Sequence, residues 1–145
     1  MEAEIHKLSE KANIPEFHSQ LAAGFDIACL EDMLIGSRSL AKLRTGLVIK
    51  PPMGHFTLIV ARSSLALKKG LMLANGVGII DPDYSGPEDE ILILVYNFTE
   101  NEVRVSSGER IAQGIFLPVN RSGFKFLDKI EGGSRGGVGS TSGYR

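Results

Sequence analysis

Turn signals break this chain about every 8–12 residues, a spacing typical of all-β folds. PPMG, KKG, PDYSGPED, TENE, SSGE and NRSG each combine glycine, proline or small polar residues that reverse a backbone. Between them stand short runs rich in β-branched and aromatic residues: TGLVIK (45–50), HFTLIVA (55–61), GLMLA (70–74), GVGII (76–80), EILILVYNF (90–98), VRV (103–105), RIAQGIFLPV (110–119) and GFKFLD (123–128). Runs this short cannot make the helices of a bundle. They predict an all-β jelly roll, sandwich or barrel. SSLALKKGL leaves room for one helical turn, and HKLSEKANI is the only other helix-like stretch.

A chain of 145 residues with 43% hydrophobic content is about one domain with a real core. Its formal net charge of −1 gives no global attraction to nucleic acid or to an anionic membrane, so neither is expected as a partner. Cys29 is alone, which excludes an intrachain disulfide and suits a reducing compartment. MEAEIHKL has no apolar signal core, and no run reaches the ~20 apolar residues of a membrane helix. A soluble cytoplasmic protein is the expectation.

EILILVYNF alternates poorly and reads as apolar on both faces. Either a second copy covers the outer face, or the strand lies in the middle of a sandwich with an irregular edge. The run fits both equally. Residues 131–145, EGGSRGGVGSTSGYR, have no apolar period and hold six glycines among the last fourteen residues. They read as a tail beyond a domain of residues 1–130. The alternatives are an inert linker or a glycine-rich loop whose N–H groups wrap an anion with Arg135, Ser140 and Thr141. The Gly-Lys-Ser/Thr ending and following helix of a Walker loop are missing.

Several polar groups interrupt the apolar runs. ARSSLALKKG places Arg62, Ser63 and Ser64 together, a guanidinium and two hydroxyls suited to phosphate but equally at home in a solvated turn. AAGFDIAC sets Asp26 inside a strand-like stretch, where a carboxylate must face solvent on an edge, orient an arginine or hold a metal-bound water. GERIAQGIF sets Gln113 between apolar residues, as a satisfied strand amide or a group that reaches a water or a phosphate oxygen. GIIDPDYSG carries Asp81, Asp83 and Tyr84 at the rim of an apolar run. Histidines 6, 18 and 55 are scattered, so neither a zinc site nor a Ser-His-Asp pattern is indicated.

In their order, these stretches resemble the five motifs of the trimeric dUTPases. AAGFDI is similar to the first motif, ARSSLALKKG to the second, NGVGIIDPDYSG to the third, GERIAQGIF to the fourth and SRGGVGSTSG to the fifth, over residues 22 to 143. The resemblance implies a jelly-roll homotrimer with active sites at subunit interfaces. It implies hydrolysis of dUTP to dUMP and pyrophosphate by water attacking the α-phosphorus. Asp81 then activates that water, Asp83 caps the turn beside Pro82, and Tyr84 packs on the deoxyribose to exclude a 2′-hydroxyl. Asn75 pairs with uracil, helped by backbone at Gly78, Ile79 and Ile80. Arg62, Ser63, Ser64 and Gln113 bind the triphosphate, and Asp26 supports them from behind. Arg135, Val138, Gly139 and Ser140 belong to a closing lid. Mg²⁺ is held by the phosphates and waters rather than by a protein cage.

Three departures stand out. Val138 occupies a position that is usually aromatic, Arg135 stands closer to it than the family's arginine does, and GPEDE (86–90) lengthens the loop after the third motif by about three residues. That loop is expected on the surface. Two competing functions share features with this reading: a deaminase acting on dCTP, and a non-catalytic nucleotide sensor with a decayed lid.

Overall fold

The computed structural model describes residues 1–134 and residue 136. Its strands, in chain order, are β1 (Glu4–Lys7), β2 (Glu16–Phe17), β3 (Phe25–Ala28), β4 (Met33–Ile35), β5 (Leu40–Arg44), β6 (Leu47–Lys50), β7 (His55–Ala61), β8 (Leu71–Leu73), β9 (Gly78–Ile80), β10 (Leu92–Asn97), β11 (Val103–Val105) and β12 (Arg110–Pro118). Among the described residues one short helix, α1 (Leu65–Lys69), lies between β7 and β8. The fold is all-β and jelly-roll-like, as the turn spacing predicts.

Five strands form the largest sheet in the order β2-β3-β12-β7-β9, and three form a second in the order β5-β10-β8. The pairs β1–β6 and β4–β11 complete the ladder, and all pairings are antiparallel. β12 is the axis of the large sheet. Its Gly114 pairs with Phe25 on one side and Ile59 on the other, both facing the core. The next residue along, Gln113, pairs with Asp26 and Val60 on the opposite face. Period-two alternation thus sorts one strand into a core side and a site side.

The core is built from Phe25, Ile27, Ile35, Leu43, Leu47, Ile49, Leu71, Ile93, Val95 and Ile111, all nearly inaccessible. Burial of one such side chain is worth roughly 1.5–3 kcal/mol. Gly114 is required by this packing, because a Cβ there would stand 2.3 Å from Cζ of Phe25. The Phe25 ring is itself packed between Phe116 and Phe17, with centroids 4.9 and 5.6 Å away.

Three expectations are corrected. HKLSEKANI is not helical: its start belongs to β1, which pairs with β6 from Glu4↔Lys50 to Lys7↔Leu47, and a turn follows in which the Ala12 N–H donates to the Ser9 carbonyl at 2.9 Å. Ladder pairing with a buried strand outweighs the weak helical propensity of a short polar stretch. GFKFLD forms no strand, because no strand edge among the described residues pairs with it. Phe124 and Phe126 are fully or almost fully exposed. EILILVYNF does alternate: Ile93 and Val95 are buried while Leu92 and Leu94 turn outward, 36% and 41% exposed. Among the described residues that second face stays partly open, which does not fit a strand enclosed on both sides by a sandwich.

Asn97 occupies a core position in β10 and is completely buried. Its Nδ2 lies 2.8–3.1 Å from the carbonyls of Ile35, Gly36 and Asn101, and its Oδ1 accepts from the N–H and hydroxyl of Thr99. A buried amide with every group satisfied fixes the end of β10 against β4.

Candidate active site

Asp26 is 7% exposed in the middle of the large sheet. Its Oδ1 accepts from Nε of Arg62 at 3.1 Å and from the amide of Gln113 at 3.3 Å. Its Oδ2 faces Nη1 of Arg110 at 3.4 Å. An acid this buried is tolerated because two guanidiniums and an amide surround it. Stretches far apart in sequence meet here, and the strand registers explain how. Gln113 is the direct partner of Asp26 on β3 and of Val60 on β7, and Arg62 follows Val60 by two residues.

Arg110 was not singled out from sequence. It stands three positions before Gln113, so simple alternation would put the two on opposite faces. A β-bulge resolves this: Arg110 pairs with Ala28 while Ala112 pairs with Ile27, leaving Ile111 as the extra residue. The bulge turns Arg110 and Gln113 to the same face.

Ser63 and Ser64 lead into α1. The Leu65 N–H donates to the Arg62 carbonyl at 3.0 Å, closing the turn. Ser64 is the N-cap residue but makes no side-chain cap bond, so its hydroxyl is not consumed by the helix. Arg62, Ser64, Lys68, Lys69 and Arg110 line a recess of about 380 Å³. Lys69 is held by Glu109 at 2.8 Å, so the recess is strongly but not purely basic. The sequence did not mark Lys68 and Lys69 for this site. The short helix brings them beside Arg62.

The third motif builds a second locus. Asn75, Gly78, Ile79 and Ile80 line a smaller cavity of about 130 Å³, closed by Leu73 and Leu92 to Leu94. The tip turns at Gly76, whose φ of +73° suits glycine. At Gly78 a Cβ would sit 3.1 Å from Cβ of Ile59, so the missing side chain lets β9 lie close on β7. Asp81 begins a tight turn, with the Tyr84 N–H donating to its carbonyl at 3.1 Å and Pro82 at the second position. The Asp81 carboxylate is exposed and has no hydrogen-bond partner among the described residues. Asp83 does not cap the turn with its side chain. The bond that closes it on the far side runs from Ser85 Oγ to the Pro82 carbonyl at 3.0 Å. The GPEDE loop is only half on the surface: Pro87 and Glu88 are exposed, while Asp89 and Glu90 fold back.

One chain does not join the two loci. Ile80 pairs with Thr57, so Asp81 lies beside the first half of β7, whereas Arg62 follows its last residue. The six steps from residue 56 to residue 62 span about 20 Å of strand. The guanidinium is also tied to Asp26, so it cannot swing back along the sheet. Arg135, Val138, Gly139 and Ser140 lie outside the described residues.

The dUTPase family model matches residues 10–143 of this chain. The chain belongs to the dUTPase family. That membership makes it an enzyme of the nucleotide-hydrolase class. A deoxyuridine 5′-triphosphate nucleotidohydrolase of Desulfitobacterium hafniense is 41% identical over 133 residues, covering 88% of this chain and 86% of the relative. The enzyme of the same name from Nautilia profundicola is 35% identical over 143 residues, covering 97% of this chain and 99% of the relative. The crystal structure of a dUTPase from Streptococcus mutans superposes with a TM-score of 0.73 at 30% identity, over 86% of this chain and 98% of that one. The Staphylococcus bacteriophage 80alpha dUTPase, solved with dUpNHpp, has the same fold, with a TM-score of 0.80 at 24% identity over 92% of each chain. Among the described residues no helix is long and apolar enough to cross a membrane.

Proposed function

We propose that this protein hydrolyses dUTP to dUMP and pyrophosphate as a homotrimer, with each active site assembled from more than one subunit. The observation that carries this is the separation just described. Asp81 stands about 20 Å of strand from Arg62, which follows the far end of β7, so one chain cannot apply both to a single triphosphate. A second copy brings the carboxylate of one subunit to the basic recess of another. The partly open face with Leu92 and Leu94, and the exposed Phe124 and Phe126, supply apolar surface for such an assembly.

In this reading the hairpin binds the nucleoside. Asn75 and the backbone of Gly78, Ile79 and Ile80 hold uracil in the small cavity, where a cytosine would leave buried donors and acceptors unpaired. Tyr84 lies against the deoxyribose. Asp81, exposed and unencumbered, accepts the proton of the water that attacks the α-phosphorus. Arg62, Ser63, Ser64 and Gln113 hold the triphosphate, with Asp26 orienting Arg62 and Gln113. Residues 131–145 form a lid that brings Arg135, Val138, Gly139 and Ser140 over the substrate and excludes water. Residues 1–130 form the domain it closes on.

The donor set fits a cation that arrives with the substrate. Among the described residues no three acids, histidines or cysteines converge. Asp26 is already engaged by two arginines. Mg²⁺ bound by the phosphates and waters supplies charge neutralisation on the leaving pyrophosphate. The product fits a role in clearing dUTP from the nucleotide pool and supplying dUMP for thymidylate synthesis, in the cytoplasm.

The test is pyrophosphate release from dUTP by the wild type and by Asp81→Asn, with mass in solution measured alongside. The asparagine preserves shape and removes the base, so the rate falls by about 10²–10⁴ while nucleotide binding persists. A variant that keeps a third of the rate, or a wild type that releases ammonia from dCTP instead, overturns the reading.

A further inference from the structure

Tyr84 is fastened at both ends. Its backbone N–H is bonded to the Asp81 carbonyl, and its ring hydroxyl donates to the carbonyl of Glu90 at 3.1 Å. Glu90 is in turn locked in place. Its carboxylate accepts from the N–H of Gly46 at 2.7 Å and from Nε of Arg44 at 3.0 and 3.3 Å. Only 13% of its side chain is exposed. Gly46 is itself held by the core: its φ is +69°, and a Cβ there would stand 2.9 Å from Ala12 and 3.1 Å from Leu30. The Ile91 N–H donates to the Leu47 carbonyl at 2.8 Å, and the Thr45 hydroxyl to the Ile91 carbonyl at 2.7 Å, so the backbone just past Glu90 is equally fixed. A continuous path thus runs from the core through Gly46 and Glu90 to the ring at the last position of the Asp81–Tyr84 turn.

We propose that Glu90 and Arg44 are positioning residues that set the sugar discrimination of this enzyme by holding the Tyr84 ring still. The proposal rests on the reading of Tyr84 as the residue that faces the deoxyribose. The physical need is plain. An aromatic ring at a rim, 40% exposed, would swing about its side-chain torsions if it were held at Cβ alone. Steric rejection of a 2′-hydroxyl works only against a ring that does not yield, because an atom-sized displacement admits the extra oxygen. Discrimination is a difference between two affinities, so a looser ring harms it by improving the wrong substrate more than by weakening the right one. The acids that fold back from the GPEDE loop provide that restraint. Glu90 does it through its carbonyl, and Arg44 by fixing the side chain of the residue that carries the carbonyl.

The experiment compares kcat/KM for dUTP and UTP in the wild type, Glu90→Ala, Arg44→Met and Tyr84→Phe. Glu90→Ala is expected to lower the dUTP-to-UTP ratio by about tenfold or more while kcat for dUTP stays within about twofold. Arg44→Met, which breaks the more exposed half of the ion pair, lowers the ratio by about threefold. Tyr84→Phe lowers it like Glu90→Ala, and the double variant is no worse than either single one, because both remove the same restraint. A merely structural clamp would lower the melting temperature and reduce both substrates in proportion, leaving the ratio within about twofold of wild type. That result overturns the proposal, in Arg44→Met and Tyr84→Phe alone if Glu90→Ala does not fold. Titrating non-hydrolysable dUTP and UTP analogues separates the two levels. A wild type without preference for the deoxy analogue sinks the dUTPase reading of Tyr84. A preference that survives in every variant sinks only the clamp.

Discussion

Asp26 holds Arg62 by its Nε, at 3.1 Å, and not by the terminal nitrogens of the guanidinium. Nη1 reaches the Arg110 carbonyl at 3.3 Å, and Nη2 has no hydrogen bond among the described residues. The acid therefore fixes the base of the fork and leaves one edge of it for an anion, where a bidentate pair would have consumed both.

Asp26→Asn should weaken both stability and substrate affinity. The amide keeps an acceptor for Gln113 but no longer balances the charge of Arg62. Breaking a fully buried pair costs about 3–5 kcal/mol. The Arg62 side chain is 31% exposed, so water offsets part of that, and the expected loss is about 1–3 kcal/mol. Urea denaturation measures it. A midpoint equal to wild type would mean that Asp26 is not needed to neutralise Arg62.

Gly114→Ala should destabilise the fold by about 1–3 kcal/mol through overpacking. Its new methyl group would overlap the Phe25 ring, which is hemmed in by Phe17 and Phe116. Gly123→Ala is the control, since nothing lies within 4 Å of a Cβ there. The two urea midpoints should differ clearly. If they coincide, Phe25 can leave its place at no cost.

A chain ending at residue 130 should remain folded and keep its oligomeric mass, because the described residues past that point are exposed and outside the core. Hydrolysis of dUTP should fall by about a hundredfold or more if the tail is a lid that excludes water. Full activity in the truncated protein would make residues 131–145 a linker.

Cys29 should be inert in the native protein. Burial pushes its thiol up from the ordinary value of 9.0, and its hydrogen bond to the Glu31 carbonyl only partly opposes that shift. The thiolate is the reactive form, so labelling by a disulfide reagent at neutral pH should be at least about tenfold slower than after unfolding. The same shift has a stability consequence. The folded state keeps a proton that the unfolded state loses as pH rises through the ordinary thiol range. The contribution is therefore fully present at neutral pH and is lost progressively above that range. Fast native labelling would show that the segment after β3 that carries Cys29 opens readily.

Much of the architecture was legible locally. HFTLIVA is β7 and VRV is β11 to the residue, and RIAQGIFLPV and GLMLA differ from β12 and β8 only at their ends, because β-branched runs bounded by turn residues declare themselves. The order of the polar stretches likewise pointed to a nucleotide hydrolase before any contact was known. What the sequence could not settle was everything that depends on pairing. HKLSEKANI looked helical because the strand character of its first two residues comes from pairing with β6, about forty residues away. GFKFLD carries strand propensity but has no partner edge among the described residues. Arg110 reached the Asp26 cluster through a bulge that no period-two reading anticipates, and Glu90 looked like one more solvated acid until the β5–β6 turn supplied its partners. Propensity and pattern act over neighbouring residues and survive in the linear string. Register, bulges and ion pairs arise between strands distant in sequence, and only the folded chain decides them.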